Sequence, residues 1–487
     1  MATWNIAWMS SAAGRRLGWV VAVVCSGAAI LVGAGRQPAY TLPADLLAVH
    51  TQAKIPAFAR KYGLPCSACH TVWPELNAFG QAFKDNGYQL GNDRDSPIWQ
   101  APSYFPLALR TTPQLHYETT NHQLVDAIPG DANSGSVEKT LHQSGFDLSG
   151  IDFLMLGTLY KNITFGLVPT LDPDGTTGIE AAFVRFDNLA NSPWMNVKVG
   201  KFELDNLLSE KRILLLSNNG GFYQNYHFAP PGSGSAFGLG DNQLGAEFMG
   251  HSSDSYTRYS VSLLESTDGE PGIQGGSNTF DAAFTLSQAF SGGGLGIGPQ
   301  RIGLFGYFGR RPTAGPTAGG EPIAGSATNA KTFYRAGVTG SFWLGSLELI
   351  PVYLRGSDNA YLATATPGDQ PLPSGARDAV WNAGLLEAHY IVHPQLAVLG
   401  RYESIRMSQQ SIPGTPSSLG DVDAYTAGVR AYPFMFSRAG MALHLEYSLS
   451  NTTGAPPLSG NGVGVPPLSP STKVMSSSVL LGFDFAF

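Results

Sequence analysis

From about residue 104 onward, the chain alternates between apolar and polar positions in short segments. In residues 478–487, apolar side chains recur at every second position from Val479 to Phe487, whereas Ser478, Gly482, Asp484 and Ala486 lie on the other face. Residues 441–449 show the same period, with His444 and Glu446 on the polar side. Successive side chains of a strand point to opposite faces, so this period predicts β-strands with one apolar face. A membrane barrel with a wet lumen has such strands, and so does a soluble β-sandwich.

The number of segments and the lengths of their connections favour the barrel. Short connections (LYKN, FWLGS, VHPQ) follow even-numbered segments, and long ones rich in Gly, Pro and Ser (205–241, 310–330, 356–378, 450–471) follow odd-numbered ones. Outer-membrane barrels combine an even strand number with short periplasmic turns and long extracellular loops. We therefore expect an all-β fold, an outer-membrane antiparallel β-barrel of about 16 strands over residues 104–487. The strands are predicted to begin near residues 105, 143, 161, 177, 194, 243, 257, 278, 300, 331, 345, 379, 395, 423, 438 and 472.

Composition agrees with a barrel. Of the 487 residues, 43% are hydrophobic and only 13% are charged, against about 25% charged in ordinary soluble domains. Low charge without long apolar runs after the N-terminal region is expected when strands, rather than helices, face lipid.

The N-terminal 34 residues have the features of a secretory signal peptide. Arg15 and Arg16 precede an apolar run over 17–32, and Val32-Gly33-Ala34 resembles a cleavage site. A membrane anchor helix is the alternative, although the run is short for a span. Cleavage after Ala34 would remove Cys25 and two arginines, which changes the formal net charge from −7 to −9. An exported protein with this charge is a poor partner for nucleic acid and a fair one for metal cations.

The segment 35–103 contains the other two cysteines in the sequence CSACH, as Cys66, Cys69 and His70. This spacing allows a redox dithiol, half of a zinc site, or covalent haem attachment. A zinc site needs about four ligands, and the chain has no second cysteine pair. A thioredoxin-like dithiol should follow a strand, whereas Pro56 and Pro65 indicate a loop. Haem c needs two thiols for the vinyl groups and an adjacent histidine for the iron, and all three are present. We therefore predict one covalent haem c.

The residues after the motif predict a small helix that packs on the haem. Pro74 suits a first helical turn, and Leu76, Phe79 and Phe83 are spaced to form one apolar face. Gly87 is expected to end the helix.

The sixth iron ligand is open at this point. The first methionine after the signal peptide is Met155, so no methionine lies in the haem segment. His50 and His116 are the nearest histidines, and an open or water-bound position is the other possibility. The choice matters because axial ligands can shift a haem potential over about 0.8 V.

The haem segment resembles that of the fused outer-membrane cytochrome–porin family, whose best-known members are ferrous-iron-oxidising outer-membrane cytochromes. The resemblance implies thioether bonds at Cys66 and Cys69 and axial ligation by His70. It also implies an oxidoreductase that takes electrons from extracellular Fe(II) and passes them to a periplasmic cytochrome c or copper protein. The residues that carry it are Pro56, Phe58, Ala59, Arg60, Gly63, Cys66, Cys69, His70, Pro74, Leu76, Gly80, Phe83, Lys84, Gly87 and Tyr88.

A single haem outside the hydrocarbon layer could not exchange electrons efficiently with both sides of the membrane. The hydrocarbon layer is about 30 Å thick, and a barrel of this size could admit the haem segment as a plug, on the periplasmic side or within the lumen. Inward carboxylates such as Glu403, Glu446 and Asp484 would then either attract a hard cation or simply hydrate the pore. Two other functions stay open: electron export to an extracellular acceptor, and a porin with a haem gate or sensor.

Overall fold

The computed structural model describes most of the haem segment after residue 64 and most of the barrel. The described residues are 58, 62, 64–90, 107–131, 134, 136–204, 224–233, 237–266, 269, 280–290, 296–311, 330–368, 370–435, 440–454 and 472–486. The predicted signal peptide (1–34) and His50 lie outside them. Within these residues, no helix has the length and apolar character needed to cross a membrane.

Sixteen antiparallel strands form one closed barrel, in which each strand pairs with its neighbours in sequence and the last pairs with the first. This confirms the predicted fold class. The barrel strands are numbered from β3, because β1 and β2 lie in the haem segment described below. The strands are β3 (Leu107–Asp126), β4 (Ser136–Tyr160), β5 (Ile163–Leu171), β6 (Thr177–Phe186), β7 (Asn196–Phe202), β8 (Gln243–His251), β9 (Thr257–Glu265), β10 (Phe280–Phe290), β11 (Gln300–Arg311), β12 (Lys331–Leu344), β13 (Leu347–Asp358), β14 (Ala379–His393), β15 (Leu396–Gln409), β16 (Val422–Met435), β17 (Gly440–Thr453) and β18 (Lys473–Ala486).

Fifteen of the sixteen predicted strand starts lie within two residues of the observed ones. The exception is β4, which begins at Ser136 instead of residue 143. Between residues 137 and 148 almost every side chain is exposed, so neither face of the strand is buried or apolar. A strand that extends beyond the apolar band loses the alternation from which its start was predicted.

The strands keep apolar side chains outside and polar ones inside. On β17, Leu443, Leu445 and Tyr447 are exposed, whereas His444 and Glu446 between them are buried. Strands β15 and β18 repeat this alternation. Soluble monomers rarely expose contiguous apolar patches larger than a few hundred Å², so this continuous apolar exterior suits a hydrocarbon environment.

The two ends of the barrel differ. The short turns 161–162, 345–346 and 394–395 lie at one end, which we call the short-turn end. The long connections 203–242, 312–330, 359–378 and 454–472 lie at the other, the long-loop end. This is the alternation of short and long connections that the sequence predicts.

Described parts of two long connections fold inward at the long-loop end. They include the helical turns α3 (Gln224–His227) and α4 (Ala360–Ala363). Phe228 packs edge-on against Trp381 of the wall at 5.2 Å between ring centroids. Phe237 lies 4.9 Å from the ring of Phe333. These contacts belong to a buried hydrophobic cluster that occupies this end of the lumen.

The inward carboxylates face the lumen as expected, but they do not line open water. Glu403, Glu446 and Asp484 are each almost fully buried. Asp484 forms an ion pair with Arg430 and accepts a hydrogen bond from Thr112 Oγ1 at 2.8 Å. Their burial contradicts the expectation that these carboxylates line an open, hydrated pore. At Glu403 the inward-folded connection is in contact, because the Asn225 N–H donates to Glu403 Oε1 at 3.3 Å.

The haem segment lies inside the short-turn end. Among its described residues, 64–90 form α1 (Cys66–Cys69), β1 (His70–Val72), β2 (Glu75–Leu76) and α2 (Ala78–Asp85). Its contacts are distributed around the wall, which is the position expected of a plug. The Gln89 amide donates to the backbone oxygen of Lys161 at 2.9 Å, Asp85 pairs with Arg258 of β9 at 2.8 Å, and Tyr432 of β16 donates to the backbone oxygen of Trp73.

Candidate functional site

Cys66, Cys69 and His70 meet at one cavity. The two cysteines begin and end the single turn α1, which Pro65 precedes in extended conformation. Residues three apart in a helix are neighbours on its surface, so both thiols lie on the same side. His70 follows directly at the start of β1. All three residues border the cavity described below.

The His70 ring is held by the turn that follows it. Its Nδ1 lies 3.0 Å from the backbone oxygen of Pro74. A carbonyl oxygen can only accept, so Nδ1 carries the hydrogen and Nε2 keeps a free lone pair. Metal-binding histidines commonly donate their second ring N–H to such an acceptor, which fixes the ring orientation.

Asn77 joins the two helices of the haem segment. Its side-chain oxygen accepts from the Gly80 N–H at 2.9 Å and caps the start of α2. Its amide donates to the backbone oxygen of Ala68 at 3.1 Å, at the end of α1. The helix therefore begins after Asn77, and the prediction that Pro74 lies in its first turn is wrong. Pro74 instead lies in the connection between β1 and β2, because the segment after His70 forms a small hairpin.

The predicted end of the helix is confirmed. Gly87 has a φ of +74°, a backbone conformation that residues with a Cβ rarely adopt. Its N–H donates to the Lys84 oxygen, and the N–H of Tyr88 donates to the Phe83 oxygen at 2.9 Å. This pair of bonds is a Schellman motif, which satisfies the last carbonyl groups of α2.

The cavity beside the CSACH motif is apolar and has a volume of about 280 Å³. This is close to the lower end of the range of cofactor sites, about 300–1,000 Å³. Phe83 forms one wall, with ring centroids 5.2 Å from Phe58, 5.6 Å from Tyr62 and 6.1 Å from Tyr88. The prediction of one apolar face formed by Leu76, Phe79 and Phe83 is partly wrong, since Phe79 does not line the cavity. The other residues that line the cavity are Leu64, Pro65, Pro74, Leu76, Gly80, Lys84, Leu156 and Glu203.

The protonation states of the site suit covalent attachment better than dithiol redox chemistry. Burial, with a smaller contribution from Cys66, raises the pKa of the Cys69 thiol to about 11. Redox-active dithiols have depressed thiol pKa values, so this environment opposes that interpretation. Burial lowers the pKa of His70, which keeps its imidazole neutral, the form that binds a metal. Burial also raises the pKa of Tyr88 to about 12, so its phenol stays protonated at neutral pH.

These residues fit a covalently bound haem. The motif supplies two thiols and one oriented imidazole at the edge of a cavity with apolar and aromatic walls. Burial in such surroundings is one of the factors by which a protein sets a haem potential.

The structure does not bring the predicted sixth-ligand candidates to this cavity. His116 lies on β3, with its Nε2 3.8 Å from Glu118 Oε2, and it does not line the cavity. His50 lies outside the described residues. Among the described residues, the barrel contributes Leu156 and Glu203 to the lining. Neither residue could be predicted from the sequence to line the cavity. Contacts between the haem segment and the barrel wall join residues that are distant in sequence, and such contacts leave no periodic pattern.

The barrel is similar to porins of known structure, although no protein-family model and no curated protein matches the chain. An anion-selective porin from Comamonas acidovorans matches at 12% identity and a TM-score of 0.48, over 78% of this chain and 99% of its own. OmpT of Vibrio cholerae without its loop L8 matches at 12% identity and a TM-score of 0.40, over 78% and 100%. OmpF of Salmonella typhi in complex with daunomycin matches at 11% identity and a TM-score of 0.41, over 78% and 97%.

Proposed function

We propose that this chain is an outer-membrane c-type cytochrome, a ferrous iron oxidase with one covalent haem inside its barrel. It takes electrons from extracellular Fe(II) and passes them to a periplasmic cytochrome c or copper protein. The observation that carries the proposal is the convergence of Cys66, Cys69 and His70 on one apolar cavity within a closed membrane-type barrel.

Each residue of the motif has a separate task. The sulfurs of Cys66 and Cys69 would hold the haem through thioether bonds, and His70, whose ring Pro74 orients, would offer Nε2 to the iron. Leu76 and Phe83 line the cavity and would limit the access of water to a bound haem. When bound, the haem supplies a site that accepts and releases one electron. The chemistry needs no acid–base residue.

The position of the haem segment supports transfer to a periplasmic partner. The haem segment contacts a short turn, where the Gln89 amide donates to the backbone oxygen of Lys161, and in outer-membrane barrels the short turns face the periplasm. Fe(II) would be oxidised from the long-loop side. An extracellular reaction has a physical advantage, because the Fe(III) product hydrolyses and precipitates and would otherwise accumulate in the periplasm.

The same site could serve electron export, since the potential of the haem determines the direction of flow. A porin with a haem gate is supported less well. The haem segment occupies the short-turn end, and the described loop residues fill the long-loop end with buried aromatic side chains.

Anaerobic mixing with Fe(II) tests the proposal. Air-oxidised purified protein should develop the sharp α-band of reduced haem c when Fe(II) is added, at a rate that increases with the Fe(II) concentration. Failure to reduce intact haem in a folded barrel would contradict iron oxidation. If pre-reduced protein then reduced an Fe(III) chelate instead, electron export would be the function.

A further inference from the structure

We propose that Glu75, Glu348 and His389 form a binding site for a divalent transition-metal cation between the haem segment and the barrel wall. Each residue offers one ligand atom, and these atoms lie within 4.8 Å of one another. Glu75 Oε2 is 2.9 Å and Glu348 Oε2 is 3.4 Å from His389 Nδ1. The site uses none of the haem-binding residues, so it does not depend on the proposed function.

The three ligands come from two parts of the fold that are rigid and closely packed. Glu348 and His389 are directly opposite each other on the paired strands β13 and β14. Glu75 belongs to β2 of the haem segment and is also buried. A cation at this point would join the plug to two adjacent strands of the wall.

One carboxylate oxygen of the cluster is already directed into the site. Glu348 is only 6% exposed. Its Oε1 accepts a hydrogen bond from Ser341, whereas its buried Oε2 is in ion-pair contact with His389 Nδ1 at 3.4 Å but accepts no hydrogen bond of normal geometry among the described residues. A buried carboxylate oxygen without a hydrogen bond costs free energy, and a bound cation would remove that cost.

The imidazole is oriented as in metal-binding histidines. His389 Nε2 lies 2.7 Å from Glu387 Oε1, and Glu387 Oε2 lies 3.3 Å from the guanidinium of Arg401. Donation of one ring N–H to a carboxylate directs the other nitrogen towards a metal and increases its basicity. Here that other nitrogen is Nδ1, which faces both remaining carboxylates. A cation would take the place of the Nδ1 proton.

Carboxylates are concentrated around the site. Besides Glu75 and Glu348, Glu387 lies 3.3 Å from Arg401 Nη1, and Glu403 lies 3.5 Å from Arg401 Nε. Arg401 is thus shared between Glu387 and Glu403. Arg301, which borders the neighbouring cavity, donates to Ser287 Oγ at 2.9 Å and to the Ser255 oxygen at 2.7 Å.

A small cavity gives an ion access to the site. It has a volume of about 130 Å³ and is bordered by Glu75 and Glu348, by polar side chains of the haem segment, and by residues 297–299 between β10 and β11. Ile297 is 59% exposed, so this side of the cavity reaches the surface near the short-turn end. Water can complete the coordination from the cavity.

The ligand set selects the class of cation. Two carboxylate oxygens and one imidazole nitrogen suit Zn²⁺, Mn²⁺ or Fe²⁺, which accept mixed nitrogen and oxygen ligands. Ca²⁺ and Mg²⁺ prefer oxygen ligands throughout. Zn²⁺ is the suitable probe, because it is not redox-active and elemental analysis separates it from haem iron.

The test is zinc binding to the full-length, chelator-treated protein by equilibrium dialysis and elemental analysis. We expect one zinc per chain. Glu348→Gln and His389→Gln should each weaken binding at least tenfold. Glu387→Gln should weaken it about 10–100-fold, because Glu387 holds the ring of the histidine ligand in place. Glu118→Gln is the matched control, because Glu118 also lies beside a histidine of the wall, His116. It should bind zinc as the wild type does.

The test can still decide for or against the metal site if Glu348→Gln or His389→Gln does not fold. Glu75→Gln changes only the haem segment and should also weaken binding at least tenfold. Absence of stoichiometric zinc in the wild type would overturn the proposal and leave a protonated His389 as the counter-charge. Equal binding by the wild type and by all three ligand variants would overturn it too, because the zinc would then lie elsewhere.

Discussion

Asp85, the last residue of helix α2, is ion-paired with Arg258 of strand β9, with Arg258 Nε 2.8 Å from Asp85 Oδ2. Both side chains are buried. The same helix end accepts from Arg185, which donates to the Asp85 backbone oxygen at 2.9 Å. Two arginines of the wall thus hold the helix that closes one side of the haem cavity.

Arg258→Gln should loosen the haem segment without opening the barrel. Removal of one partner of a buried ion pair leaves the other charged and desolvated, which typically costs about 3–5 kcal/mol. We expect faster proteolysis within residues 64–90 of the folded protein. Arg406→Gln is the control, because Arg406 and its partner Asp423 are 47% and 32% exposed and such pairs contribute about 0–1 kcal/mol. Equal proteolysis of both variants would contradict the role of Arg258.

Gly80→Ala should prevent normal packing of α2 against the cysteine turn. A Cβ at Gly80 would overlap the backbone carbonyl of Cys69, which cannot move without displacing the motif. We expect a much lower ratio of haem to protein after purification. Gly400→Ala is a matched change on β15, where an added Cβ meets nothing within 4 Å, and its haem content should match that of the wild type. A normal haem content in Gly80→Ala would show that the close approach is not needed.

The proposed covalent attachment at Cys66 and Cys69 predicts haem that survives denaturation. The wild-type polypeptide should stain for haem peroxidase activity on a denaturing gel and should retain haem in acidified acetone. The double variant Cys66→Ala/Cys69→Ala should lose all of the stain, because no thioether bond can form. Each single variant can still hold haem through one thioether bond and should keep a weaker stain. Complete extraction of haem from the wild type would exclude covalent attachment.

The orientation of the barrel predicts which tags antibodies reach on intact cells. A hydrophilic tag after Ser374 should be accessible, because residues 373–375 are exposed and lie in the long connection between β13 and β14. Insertion within α4 should reduce the yield of folded protein, since Leu362 and Ala363 belong to the buried hydrophobic cluster at the long-loop end. A tag between His393 and Pro394, in a short turn, should be shielded until the outer membrane is permeabilised. The reverse labelling would mean that the short turns face outward.

The barrel strands could be predicted closely because the signals that mark each strand lie within the strand itself and the turns beside it. Strands such as β8, β9, β11, β12 and β14 begin at the predicted residue, since alternation and turn composition mark each one independently. The cysteine motif is local in the same way. The prediction failed where a local pattern was incomplete, as at the exposed start of β4, or where Asn77 rather than Pro74 begins the helix.

The contacts between plug and wall could not be predicted for a different reason. Glu75 and His389 are 314 residues apart and form a hydrogen bond, and Asp85 and Arg258 are 173 residues apart. Such pairs depend on barrel closure and on the depth of the plug, and neither leaves a periodic pattern. The burial of Glu403 and Asp484 has the same origin, because it depends on what fills the lumen.

Electron transfer across a vesicle membrane tests the central claim most directly. The protein is reconstituted into sealed liposomes that enclose oxidised soluble cytochrome c, and Fe(II) is added outside under anaerobic conditions. Parallel vesicles that enclose an Fe(II)-specific chelator report any leak of iron. We predict reduction of the enclosed cytochrome with the wild type, at rates far above those with Cys66→Ala/Cys69→Ala, while the chelator stays colourless. Reduction that tracks the iron leak, or none despite intact haem, would contradict electron transfer from external Fe(II) through this haem.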